Sequence, residues 1–204
     1  MKSLPRSLDE FSFVEREVVD GKTVKNRCGR DFLYYALHYY FPDKFNAINL
    51  NPVYMERNRF FGLRLPSWLM WTQLQFIYLP DYLKENNLKL FINTTAINSF
   101  WNLFNAMLFS RISLFDAERI VERSVDEERV VGVDIGLKYG GLLDHVIFVY
   151  GYDTGVFYVC DTHKVPMLEY TKLSNDYYFM RLPREVVRKR WSRFGRVWEL
   201  KKIV

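Results

Sequence analysis

Between Arg129 and Asp161 the chain carries three β-branched runs separated by two turn signals, and this stretch leaves little choice of fold. Val130-Val131-Gly132-Val133-Asp134-Ile135 reads as a buried strand, Lys138-Tyr139-Gly140-Gly141 as a loop, and His145-Val146-Ile147-Phe148-Val149-Tyr150 as a second buried strand. Gly151-Tyr152-Asp153-Thr154-Gly155 has the glycines of a hairpin turn. Val156 to Cys160 is then a third strand, ending at Asp161-Thr162-His163. A tight turn centred on Asp153, with a shift of one or two residues for a bulge, sets His145, at the start of one strand, against Asp161, at the end of the next, on one side of the sheet. A carboxylate so placed fixes the tautomer and orientation of an imidazole. As a plain cross-strand pair the same two residues are worth about 0.2–1 kcal/mol.

The second informative stretch is Lys25-Asn26-Arg27-Cys28-Gly29-Arg30-Asp31-Phe32-Leu33-Tyr34-Tyr35-Ala36-Leu37, a polar turn, a cysteine and an apolar helix. The helix is expected to run to about Tyr40 and to end at Phe41-Pro42-Asp43, because a residue before proline is pushed out of the helical region. Apolar side chains nearly all round it mark an internal helix. Cys28 falls in its first turn, where unpaired N–H groups and the positive end of the dipole favour thiolate. A small buried residue at a helix start is the plainer reading of the same position.

Elsewhere, residues 43–66 look irregular, and Pro66-Ser67 opens a second helix capped by Ser67, with Trp68 and Trp71 as core residues. Leu88 to Ile92 reads as a short strand, Asn98 to Ser110 as an apolar helix and Asp116 to Arg123 as an amphipathic one. Met167 to Tyr170 and Tyr177 to Arg181 are short strands, Pro183 to Trp191 a basic helix, and Val197 to Leu200 a strand that closes the sheet. Helices first and strands second, without a Gly/Ser linker, predict one α+β domain over residues 1–204.

The totals narrow the function. No apolar run reaches the roughly 18–20 residues of a membrane helix, and Met1 to Ser7 has no apolar segment behind it, unlike a secretory signal. Two cysteines, Cys28 and Cys160, make no disulfide framework, and three histidines without CxxC or HxxxH spacing make no zinc site. The expectation is a cytoplasmic protein without cofactor or metal. The net charge of +5 is concentrated in Arg181 to Lys202, which holds nine Lys/Arg against Glu185 and Glu199. Arg188, Lys189, Arg190, Arg193 and Arg196 interleaved with Trp191, Phe194 and Trp198 resemble a single-stranded nucleic-acid footprint. The aromatic residues fit an inward face equally, with the arginines outward.

Cys28, His145 and Asp161 supply a nucleophile, a base and an orienter for the base. Their order, with the cysteine on an early internal helix and the pair on a late antiparallel sheet, resembles the papain-like fold. Within it, the chain resembles the compact cysteine peptidases that trim bacteriocin leader peptides after double glycine. The resemblance rests on Arg27-Cys28-Gly29 before an apolar helix, on Asp144-His145 to Gly151-Tyr152-Asp153, and on Val156 to Asp161. Leu182 to Trp191 is similar to the helix ending in Trp that closes many such domains. The resemblance implies a thiol-dependent hydrolase that cleaves a peptide or isopeptide bond through a covalent thioester. Butirosin-type acyltransferases, which use an acyl thioester, share the fold and the residue order, and a binding-only relative is a further alternative.

One departure concerns the oxyanion. The family places a glutamine some six residues before the cysteine, where this chain has Lys22, and its only glutamines are Gln73 and Gln75. Asn26 or Lys22 is then the candidate donor beside the Cys28 N–H. Gly140 and Gly141 either border a substrate cleft or form a plain turn. His38 is read as a hydrogen-bonded core histidine, His163 as loop surface and Cys160 as core on the sheet face opposite Asp161.

Overall fold

Alternation along the strands gives the sheet two apolar faces, and each face carries helices. The computed structural model describes residues 1–4, 18–19, 22–23, 28–43, 59–60, 63–64, 83–84, 87–94, 114–138, 143–161, 171–172, 179–190 and 197–203. In chain order these form β1 (Lys2–Ser3), β2 (Val18–Val19), β3 (Lys22–Thr23), α1 (Cys28–Tyr40), β4 (Arg59–Phe60), β5 (Leu63–Arg64) and β6 (Leu90–Thr94). There follow α2 (Leu114–Asp126), β7 (Val130–Lys138), β8 (Leu143–Tyr152), β9 (Val156–Cys160), β10 (Thr171–Lys172), β11 (Phe179–Pro183), α3 (Arg184–Lys189) and β12 (Val197–Lys202). Two small ladders pair β2 with β3 and β4 with β5. The remaining strands build one antiparallel sheet in the order β10-β11-β9-β8-β7-β12-β6, with β1 added beside the end of β8. Helices with an antiparallel sheet are the expected α+β class.

Val130, Val146, Phe148 and Cys160 turn to one face, where they meet Phe32, Leu33, Tyr35, Ala36 and Leu37 of α1. Val131, Val133, Ile135, Ile147 and Val149 turn to the other, where they meet Ala117, Val121 and Val125 of α2 and Val186 and Val187 of α3. Each fully buried leucine or phenylalanine contributes about 1.5–3 kcal/mol, so these two seams carry most of the cohesion. Three contacts fix α1 on its face. Phe32 fills the notch left by Gly132 of β7, where a Cβ would come within 2.8 Å of the ring. Tyr35 stacks on Phe148 of β8 at 5.5 Å between centroids. The Tyr40 hydroxyl accepts from the Val130 N–H at 2.9 Å and donates to the Leu200 carbonyl, joining the helix end to β7 and β12.

Polar groups tie the layers on the α2 side. Buried Glu199 of β12 accepts from the Ser124 hydroxyl at 2.6 Å, with Arg123 and Arg129 at 3.4 Å. Such a partner set is what makes a buried carboxylate tolerable. Arg184 donates to Glu122 at 2.6 Å, and Arg188 donates to both oxygens of Glu118 at 2.8 and 3.0 Å. The arginines of the basic helix therefore face the acidic side of α2. Trp198 is fully buried and donates to Asp134 at 2.9 Å, which makes it a core residue and not a stacking platform. Trp191, Arg193, Phe194 and Arg196 lie outside the described residues.

Several expectations shift. The turn between β8 and β9 is centred between Thr154 and Gly155, not on Asp153. The register is Tyr152↔Phe157 and Gly151↔Tyr158, then Val149↔Val159 and Phe148↔Cys160 after a bulge. Gly151 and Tyr152 stay in the strand, paired on one edge with β9 and on the other, past the end of β7, with β1 through Lys2↔Tyr152 and Ser3↔Gly151. β12 does not close the sheet; it lies inside it, between β7 and β6. β6 begins two residues late, after a turn with Asn87 at φ 52° that sends Leu88 inward. α2 is longer than expected and α3 shorter, and strands occur both before and after α1. The helices read at Ser67 and at Asn98 to Ser110, with Trp68 and Trp71, and the strand at Met167 to Tyr170 lie outside the described residues.

The Gly132 notch yields a direct prediction. Gly132→Ala overpacks the buried Phe32 ring and is expected to destabilise the protein by about 1–3 kcal/mol, read as a lowered midpoint in thermal or urea unfolding. Adding Phe32→Leu should recover part of the loss; unchanged unfolding in Gly132→Ala would contradict the packing described.

Candidate functional site

The site forms where the start of α1 meets the sheet. Cys28 is the first residue of the helix and only half-buried. Its N–H lies in the first turn, where helix N–H groups lack an i−4 acceptor, and the dipole adds partial positive charge there. Across from it, His145 near the start of β8 and Asp161 just past β9 are 4% and 3% exposed. His145 Nε2 and Asp161 Oδ1 are 2.8 Å apart. Since Phe148 faces Cys160, continuing the register sets Asp161 level with Ile147, two residues along from His145. The pair is therefore diagonal and not directly opposite, a geometry that a long side chain spans. The shift of two preserves which side of the strand each residue occupies.

Cys28 also acts on the imidazole. Burial alone would lower the His145 pKa, but the charge of Asp161 and its hydrogen bond raise it, and a hydrogen bond with Cys28 and its charge add to the rise. The outcome is a pKa well above the ordinary value. With Nε2 on Asp161, Nδ1 is the nitrogen left to face the sulfur. The imidazole and the carboxylate are buried, and Cys28 beside them is half-buried.

Other groups divide into those placed and those not. Cys160 is buried in the α1 seam, and burial first, then the nearby Asp161 and Asp31, push its thiol up, which keeps it protonated and unreactive. His38 is half-buried in the last turn of α1. Asn26, Gly140, Gly141 and His163 lie outside the described residues, and of Lys22 only the backbone, in β3, is described. Two residues of α1 not singled out in the sequence belong to this neighbourhood. Asp31 is a buried carboxylate in the first turn, and Tyr35 lies near Cys160, Asp31 and Asp161. Their spacing from Cys28, three and seven residues, is the helical repeat that marks them as sharing its side.

Among the described residues no group of three His, Cys, Asp or Glu has a metal-holding arrangement, and no helix is long and apolar enough to cross a membrane. No protein-family model, curated protein or solved structure matches the chain.

The raised His145 pKa links charge to stability. An imidazolium held by Asp161 contributes stability that is complete below about pH 6.5, the unfolded value, and is lost as pH rises through the higher folded value. Asp161→Asn is therefore expected to cost most stability near pH 6 and progressively less toward pH 9, measured by urea unfolding of both proteins across that range. A penalty that is flat or grows with pH would contradict the assignment.

Proposed function

We propose that the protein is a thiol-dependent hydrolase of papain-like layout, cleaving a peptide or isopeptide bond through a covalent thioester. The observation that carries this reading is the buried His145, bonded on one side to Asp161 at 2.8 Å and reaching Cys28 at a helix start on the other. In the first half-reaction His145 takes the Cys28 proton, and the sulfur attacks the carbonyl carbon. The electron pair of the carbonyl bond moves to oxygen, where the Cys28 N–H donates to it, with Asn26 as the candidate second donor. Collapse breaks the C–N bond, and the imidazolium returns its proton to the leaving amine. In the second half-reaction His145 takes a proton from water, which attacks the thioester. The C–S bond then breaks to release a carboxylic acid and restore the thiol.

Each residue has one task. Asp161 acts through His145: it holds the ring orientation and stabilises the imidazolium. The raised His145 pKa lets the ring hold the proton it takes from Cys28 until the leaving amine receives it. The helix dipole at the start of α1 favours the same charge on the sulfur.

An electrophilic thiol probe tests the reading. Cys28 should be alkylated rapidly near neutral pH while buried Cys160 is spared. His145→Ala should slow the reaction by about 10²-fold or more, the usual contribution of a positioned base. With a panel of peptide and isopeptide substrates, Cys28→Ala should abolish turnover. Equally slow alkylation of the unaltered and His145→Ala proteins would overturn the proposal. Turnover of acyl thioesters alone, by transfer to an amine, would replace hydrolysis with acyl transfer on the same residues.

A further inference from the structure

The proposed chemistry needs the sulfur and the imidazole at a fixed separation, yet they belong to different layers. Cys28 is carried by α1, whereas His145 and Asp161 are carried by β8 and the end of β9. A helix lying on a sheet can slide along it, and a misplacement of about 1 Å at a reacting centre can cost on the order of 10²-fold in rate. The contact that opposes such sliding must join α1 to the same two strands.

Tyr35 makes that contact. It lies seven residues after Cys28, two helical turns, so it projects from nearly the same side of α1. Its ring stacks on Phe148 of β8 at 5.5 Å, with 19° between the planes. Phe148 is the register partner of Cys160 in β9, and Asp161 is the next residue. Burial raises the Tyr35 pKa first, and the nearby Cys160, Asp31 and Asp161 add to the rise. Tyr35, Phe148 and Cys160 are all buried in the α1 seam. Neighbouring Phe32 touches the same Phe148 more loosely, at 6.3 Å and 51°.

We propose that Tyr35 is a positioning residue of the site: stacked on Phe148 beside Cys160, it sets the height of α1 on the sheet and with it the separation of the Cys28 sulfur from the His145–Asp161 pair. This inference rests on the cysteine reading above. The ring does the positioning, so a phenylalanine in its place should serve, whereas an aliphatic side chain loses the stack on β8 and lets the helix shift against that strand while Phe32 and Tyr40 still hold it to β7 and β12.

The test follows the pH profile of Cys28 alkylation by iodoacetamide in the full-length protein. In Tyr35→Phe the rate and profile should stay within about threefold of the unaltered protein, since the stack remains. In Tyr35→Leu the His145-dependent part of the rate should fall by about 10-fold to 10²-fold, with the profile moving toward that of His145→Ala. Phe148→Leu, which removes the stack from the sheet side, should act in the same way. The double variant should be little worse than either single one, because both remove one contact. Thermal unfolding of each variant separates positioning from loss of fold, and Tyr35→Met replaces Tyr35→Leu if the latter does not fold. Val121→Ala, in the seam under α2, provides a destabilised control that should keep the normal alkylation profile.

Folded Tyr35→Leu or Tyr35→Met with an unaltered rate and profile would overturn the inference while leaving the cysteine reading intact. A rate in the unaltered protein no faster than in His145→Ala would overturn both.

Discussion

The structure depends on how closely one helix can approach one strand. Gly132 removes a side chain from the middle of β7, and the Phe32 ring occupies the space. That approach brings α1 down onto β8, lets Tyr35 stack on Phe148 and brings the Tyr40 hydroxyl to the backbone of β7 and β12. Aromatic side chains suit this task because they bury large areas in few rotamers. Because Cys28 is the first residue of that helix, the packing that holds the core also decides where the sulfur sits.

A dry carboxylate and imidazole are expensive to bury singly and tolerable together. Asp161 and His145 remove each other's desolvation penalty through a 2.8 Å bond, and the half-buried sulfur adjoins the ring at the edge of the core. The opposite face handles its buried charge differently. There Glu199 is held by Ser124 and two arginines that join α2 to β12, with no accessible nucleophile in the set. The contrast is between a carboxylate that braces two layers and one paired with a single imidazole. It also explains why the basic C-terminal segment has little charge to spare in α3, where Arg184 and Arg188 are engaged with Glu122 and Glu118.

Much of this is legible along the chain, and the failures have physical causes. The bounds of α1 follow from a polar turn before Cys28 and a proline after Phe41, both local signals. The meeting of His145 with Asp161 is legible from the hairpin even though the register is displaced, because a displacement of two keeps side-chain parity. The displacement comes from a turn one to two residues later than Asp153 and a bulge between Val149 and Gly151, and the pairing of β1 with the end of β8 is also announced by no local pattern. The interior place of β12 is likewise a matter of spatial order, which sequence order does not encode. Tyr35 is hidden by its surroundings: in a helix apolar nearly all round, one more aromatic residue looks like filling. Asp31 carries a clearer signal, as an acidic residue on the buried side of that helix.

The central claim is that the Cys28 sulfur and the His145 imidazole form one electrostatic unit. The most direct measurement is an NMR titration of the His145 ring nitrogens in the unaltered protein and in Cys28→Ala. The account predicts a titration midpoint well above the ordinary histidine value, with Nε2 protonated toward Asp161, and a fall in the midpoint when the sulfur is removed. A midpoint near the ordinary value, or one indifferent to the loss of Cys28, would contradict it.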